Sequence, residues 1–171
     1  MGRFLNIGLR LLALLWTLLI TALIGNVIAS NVNARTSAAS AVNFTMFVAA
    51  LSWVALLFGI AAAIISSLAL PIVLLPLDFL ATLFTFIAAI VLAAKLGAPN
   101  CGSIDRDDHG SGWIAFGSHN DEKRCREIQA STAFMWFLWA CFMGILFFTF
   151  KDSRGSMTSI RSSTRPNMSQ V

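Results

Sequence analysis

Four stretches of this sequence, Leu11–Ala29, Phe44–Ser66, Leu70–Ala94 and Ala130–Phe150, are almost wholly apolar. Each is close to the ~20 residues that an α-helix needs to cross ~30 Å of hydrocarbon. Strands of a membrane barrel would show ~10-residue alternating segments, and these runs do not alternate. The chain is 57% hydrophobic and only 12% charged, whereas a soluble domain has about 25% charged residues. The fold expected is an all-α membrane protein, a four-transmembrane-helix bundle in one domain over residues 1–150. A long loop spans 95–129, and a polar tail rich in Ser and Thr, 151–171, is expected to be disordered.

Met1-Gly2-Arg3 ahead of the first run has the form of a secretory signal cleaved after Ala29. Signal cores are ~7–15 residues, shorter than this run, so a retained first helix is expected.

An even number of crossings puts both termini on one side. The basic residues divide equally between the two sides, so the positive-inside rule does not orient the bundle. Cys101 and Cys125 do, because they stand at the two feet of the long loop. Such a pair suits a disulfide, which persists in an oxidising compartment and stabilises a closed loop by ~3 kcal/mol. The loop is therefore expected outside the cell, with both termini in the cytosol. The alternative reading of these cysteines, zinc with His109 and His119, lacks the tight Cys-x₂₋₄-Cys spacing of structural sites. No metal or other cofactor is expected.

In the second run Ala55, Gly59 and Ala63 recur every fourth residue, and Ala140 and Gly144 do so in the fourth. Small residues at this spacing let helices approach closely, which marks packing faces; a homo-oligomer seam is the other use of the same pattern. In the loop, Trp113, Ile114 and Phe116 lie between glycines. They fit either an interfacial patch dipping among headgroups or a knob folded over the bundle. In the tail, Arg161, Ser162, Ser163, Thr164 and Arg165 combine basic residues with hydroxyls. They are either a solvated stop-transfer segment or a contact for anionic lipid that phosphorylation weakens.

The third run, LPIVLLPLDFLATLFTF, holds a carboxylate, Asp78. A charge at that depth costs ~2–3 kcal/mol on an insertion scale, so intramembrane acids mark functional sites by default. Arg10, at the inner end of the first helix, is its candidate counter-charge. Pro71, Pro76 and the positive end of the helix dipole lie on the same side. The acid has either a purely structural role or a lipid- or partner-sensing one. Elsewhere there is no Ser-His-Asp set, Cys-x-x-Cys pair, phosphate-cradling loop or His-Glu-x-x-His motif, so no enzyme is expected. The net charge of +4 is spread over both membrane faces, which speaks against nucleic-acid binding.

Val42-Asn43 with Met46-Phe47, Leu77-Asp78-Phe79 followed by Phe84-Thr85-Phe86, Cys101, Arg124-Cys125-Arg126, Gln129-Ala130 and Ala133-Phe134 occur in order along the chain, which closes on Ser169-Gln170-Val171. Together they resemble the fungal non-classical export protein 2 family, within the wider MARVEL-domain tetraspan group. The resemblance implies a multi-pass plasma-membrane protein of eisosome-associated furrow domains that responds to sphingolipid status and affects protein localisation or export. The partners it implies are membrane lipids, among them sphingolipids, and peripheral eisosome proteins. The function expected is that of a non-enzymatic membrane organiser. The alternative is a subunit of a membrane channel or transporter with Asp78 as its intramembrane polar site.

Overall fold

The computed structural model describes residues 2–32, 36–65, 71–97, 99–102 and 113–163. Four helices run in chain order, α1 (Gly2–Ala29), α2 (Thr36–Ile64), α3 (Pro71–Leu96) and α4 (Asp121–Ser163). All four are long and apolar enough to cross a membrane. Each packs on two neighbours, α1 on α2 and α4, and α3 on α2 and α4. The bundle is therefore a square with α1 and α3 on one diagonal and α2 and α4 on the other.

Each helix turns one stripe inward. On α1 it is Arg10, Ala13, Thr17, Ile20, Ile24 and Val27, and on α4 it runs Arg124, Ile128, Ser131, Met135, Leu138, Phe142, Ile145, Thr149. On α2 the stripe follows Ala38, Ala41, Thr45, Val48, Ser52, Ala55, Gly59 and Ala62, and on α3 Asp78, Ala81, Thr85, Ala88 and Leu92. Alternating steps of three and four are the seam of a left-handed bundle. Alanines in the seam let backbones approach, which matters where lipid and core are equally apolar. The opposite faces carry Phe47, Phe79, Phe137 and Phe147, more than half exposed, as a lipid-facing surface. Hydroxyls inside the bundle bond to the carbonyl one turn back: Thr17 to Ala13, Thr45 to Ala41, Ser52 to Val48, Thr85 to Ala81. Polar side chains thus enter hydrocarbon without orphaned donors.

The helices outrun the apolar stretches. The first begins at Gly2 rather than Leu11, the second at Thr36 rather than Phe44, and the fourth at Asp121 rather than Ala130. The tail expected to be disordered from Lys151 is instead helical through Ser163, and residues 164–171 lie outside the described residues. Once a membrane helix is nucleated, propagation adds one hydrogen bond per residue fixed, and no proline interrupts α4 before Pro166. Pro76 lies within α3, whose helix continues through it.

Candidate functional site

Asp78 is fully buried, and side chains of α1 and α4 reach it from across the bundle. Its Oδ1 accepts from Arg10 Nη1 at 3.1 Å and its Oδ2 from Arg10 Nη2 at 2.6 Å, a bidentate ion pair across the α1–α3 diagonal. Oδ2 also accepts from Thr149 Oγ1 of α4 at 3.0 Å. Arg10 Nε donates to Asn6 Oδ1 at 3.1 Å, and Nη1 reaches the Ala55 carbonyl of α2 at 3.4 Å. All three guanidinium nitrogens and both carboxylate oxygens are thereby engaged. Planar, two-point pairing is the geometry in which an arginine–carboxylate bond is strongest. Asp78 lies seven residues into α3, ~10 Å along the axis, beyond the first turn where a helix dipole acts. Its stabilisation comes from Arg10 and Thr149 rather than from the helix end.

Gly59 explains how Arg10 fits. A Cβ at that position would lie 1.9 Å from Arg10 Nη1 and 2.2 Å from its Cζ. The small residues of α2 at this level therefore make a groove for a guanidinium rather than a ridge for a helix. Ala55 lines that groove with its carbonyl, whereas Ala63 lies beside the seam and is only partly buried. Gly144 faces α1, where an added Cβ would meet Leu9 Cδ1 at 3.0 Å. Ala140 is exposed on the outside of α4 and corrects the expectation of a packing residue there. The seam steps from Leu138 to Phe142 and passes it by.

At the other end Cys101 and Cys125 are bonded, with Cα atoms 5.7 Å apart, and both are buried. Residues 113–120 fold back over the bundle, with Ile114 and Ala115 buried. Of the two readings of this segment, the knob is the one observed. Trp113 Nε1 donates to the Leu96 carbonyl that ends α3, at 2.9 Å. The Val32 amide donates to the Gly117 carbonyl at 2.8 Å. Gly117 takes a φ of 111°, open to glycine, and its amide and that of Ser118 both donate to Asp121 Oδ1. Asn120 caps α4 by accepting from the Lys123 amide at 3.0 Å.

Beneath the knob lies Arg124, 2% exposed. Its Nε donates to the Ile114 carbonyl at 3.0 Å, and Nη1 reaches Val27 O and Asn31 Oδ1, each at 3.5 Å. It pins the knob to the end of α1. The sequence marks Arg124 only as part of a family motif and gives Thr149 no role. Extending the α4 seam one step beyond Ile128 and one beyond Ile145 lands on both.

Arg161, Ser162 and Ser163 are the last residues of α4, and Thr164 and Arg165 lie outside the described residues. So does His109; among the described residues no three potential metal ligands come together.

A family model described as the membrane-associating MARVEL domain matches residues 3–148. The chain is 39% identical over 117 residues to non-classical export protein 2 of Saccharomyces cerevisiae, across 68% of this chain and 65% of that protein. It is 35% identical over 116 residues to the same yeast's non-classical export protein 2 homolog 1, across 67% of this chain and 63% of the relative. The match spans just under two thirds of each relative's length. No solved structure matches. With four apolar helices in a square bundle and a domain match from the start of α1 to the apolar end of α4, this multi-pass membrane protein belongs to the MARVEL family.

Proposed function

We propose that the protein is a non-enzymatic organiser of the plasma membrane, associated with eisosome furrow domains, responsive to sphingolipid status and affecting protein localisation or export. The observation that carries this reading is the closure of the Arg10–Asp78 pair, whose members are 3% and 0% exposed. In transporters an intramembrane acid faces a substrate path or a water-filled cavity. Asp78 instead has each oxygen occupied by a side chain of the same protein, which supports a fixed bundle over a conducting one. By tying α1, α2, α3 and α4 at one level, the pair fixes how each helix is rotated. That in turn fixes which phenylalanines meet lipid. The mechanism is lateral: a constant lipid-facing surface, rich in Phe and without Tyr, selects its lipid neighbours. The helical extension beyond Lys151 carries this state to peripheral partners in the cytosol. The word "export" in the relatives' names fits an organiser that acts on the placement of other proteins.

The test is imaging of the tagged protein, wild type and Asp78→Asn, before and after sphingolipid synthesis is blocked, with ion flux measured in liposomes. Stable wild-type patches that disperse on depletion, with no flux, are expected. An even, lipid-insensitive distribution together with flux that vanishes in Asp78→Asn would replace the organiser with a channel or transporter subunit.

A further inference from the structure

Between the disulfide-end halves of α1 and α4 lies an open groove of ≈ 390 Å³, with Leu23 and Ala130 on its floor and Asn120, Glu122, Lys123, Arg126 and Glu127 on its rim. The size falls within the ~300–1,000 Å³ of small-ligand sites. Its position is that of a membrane interface, because the apolar stretch of α4 begins at Ala130 and that of α1 closes at Ala29. The rim therefore meets the headgroup layer while the floor leads into hydrocarbon.

The rim carries both signs of charge in an ordered way. Glu127 is the anchored member: its side chain is 12% exposed, accepts from Asn26 Nδ2 of α1 at 2.6 Å and lies 3.7 Å from Lys123 Nζ. Lys123 and Arg126, three residues apart on one helix face, have side chains 64% exposed, and Arg126 is paired with the half-exposed Glu122. Exposed pairs of this kind are weak and screened by salt, so a ligand bearing the same charges exchanges for them at little cost. Depth orders the groups: Glu122 is outermost on α4, Lys123 and Arg126 follow, and Ala130 is deepest.

We propose that this groove binds a zwitterionic phospholipid, with the phosphate between Lys123 and Arg126, the ammonium against Glu122 and an acyl chain over Leu23 and Ala130. A wholly anionic headgroup would leave Glu122 facing a like charge, and a free phosphate would leave the apolar floor uncovered. Lipid binding here is a property of the isolated chain and does not rest on the organiser reading.

The test uses the full-length protein purified in detergent, with retained lipid counted by native mass spectrometry. Phosphatidylcholine and phosphatidylglycerol with the same chains are added, and inorganic phosphate serves as a competitor. Wild type is expected to retain phosphatidylcholine in preference. Lys123→Gln/Arg126→Gln should lower that retention severalfold. Glu122→Gln should erase the preference over phosphatidylglycerol. Both variants alter exposed side chains and leave the Asn26–Glu127 tie in place, and an unchanged thermal transition verifies the fold. Equal retention of the two lipids by wild type, phosphatidylcholine retention that ignores the double substitution, or displacement by millimolar phosphate would each overturn the proposal.

Discussion

Arg10 and Arg124 are buried to the same degree, 3% and 2% exposed, yet their guanidinium groups meet different partners. Arg10 is held two-pronged by the carboxylate of Asp78, while Arg124 is held by the carbonyls of Ile114 and Val27 and the amide oxygen of Asn31. Arg10 lies six residues, ~9 Å, inside the candidate span Phe4–Ala29, and Arg124 lies three residues inside Asp121–Lys151, under a knob tied at its foot by the disulfide. One end of the bundle is tied by a bidentate ion pair across its diagonal, the other by a covalent bond and by an arginine that donates to neutral oxygens in the field of Asp121 and Glu127. The Arg10 charge is met by a carboxylate in two-point contact, whereas Arg124 combines oriented carbonyl dipoles with the field of the Asp121 and Glu127 carboxylates.

The comparison breaks most sharply at Asp78. Asp78→Leu leaves Arg10 buried without its counter-charge, and removing one partner of a buried pair costs ~3–5 kcal/mol. Arg10→Met/Asp78→Leu removes both charges and is expected to recover most of that loss, since apolar replacements of buried pairs are often neutral or better. Unfolding of the purified protein in denaturing detergent, read by circular dichroism, measures both. A double variant as unstable as the single one would show that the site's worth lies in its shape rather than in charge pairing.

At the opposite end, Cys101→Ser/Cys125→Ser removes a cross-link between residues 24 apart in sequence. The loss expected is ~3 kcal/mol. It should be local: hydrogen exchange quickens over residues 113–120 while the helix turns around Arg10 and Asp78 keep their protection. Equal loss of protection at both ends would mean that the two ties are one cooperative unit.

Gly59→Ala and Gly144→Ala sharpen the contrast between a groove for a guanidinium and an ordinary helix contact. At Gly59 the new methyl overlaps a side chain pinned by four acceptor oxygens, so ~1–3 kcal/mol is expected, as for overpacking in a filled core. At Gly144 it meets only the tip of Leu9 at 3.0 Å, which a small rotation relieves, and the gain in helix propensity works against the cost. Thermal transitions that fall alike in the two variants would contradict the groove.

How much of this was legible in the sequence follows from what surrounds each helix. Span number, the disulfide and the Arg10–Asp78 pairing could be read, because apolar length, paired cysteines and a lone intramembrane acid are conspicuous. Which face of each helix turns inward could not be read from hydrophobicity, since the lipid face is as apolar as the core. Small residues at strict fourth-residue spacing include Gly59 but leave the seam at Ala63 and Ala140. Polar residues carried the better information. Arg10 and Thr17, Thr45 and Ser52, Asp78 and Thr85, and Arg124 and Ser131 are all buried, and each pair is one heptad apart. In hydrocarbon such groups turn inward toward partners, so they mark the seam that apolar residues conceal. The helical course of residues 151–163 was illegible for a different reason: its composition is polar, and its helicity is inherited from the membrane segment before it.

Thr149 gives the smallest effect at the Arg10–Asp78 site. Its hydroxyl is the contact of α4 with Asp78, 3.0 Å from an oxygen that Arg10 already holds. Interhelical hydrogen bonds in membrane proteins average only ~0.6 kcal/mol, with ~1.7 the upper end, and a carboxylate acceptor favours the higher part of that range. Thr149→Val keeps shape and removes the donor, so a loss of ~1 kcal/mol is expected in the wild-type background. In the Arg10→Met/Asp78→Leu background there is no carboxylate to lose, and the same substitution should cost next to nothing. The difference between the two backgrounds is the coupling energy of α4 to the pair. A value near zero would reduce the site to a tie among the first three helices, leaving α4 held by its seam and by the disulfide end alone.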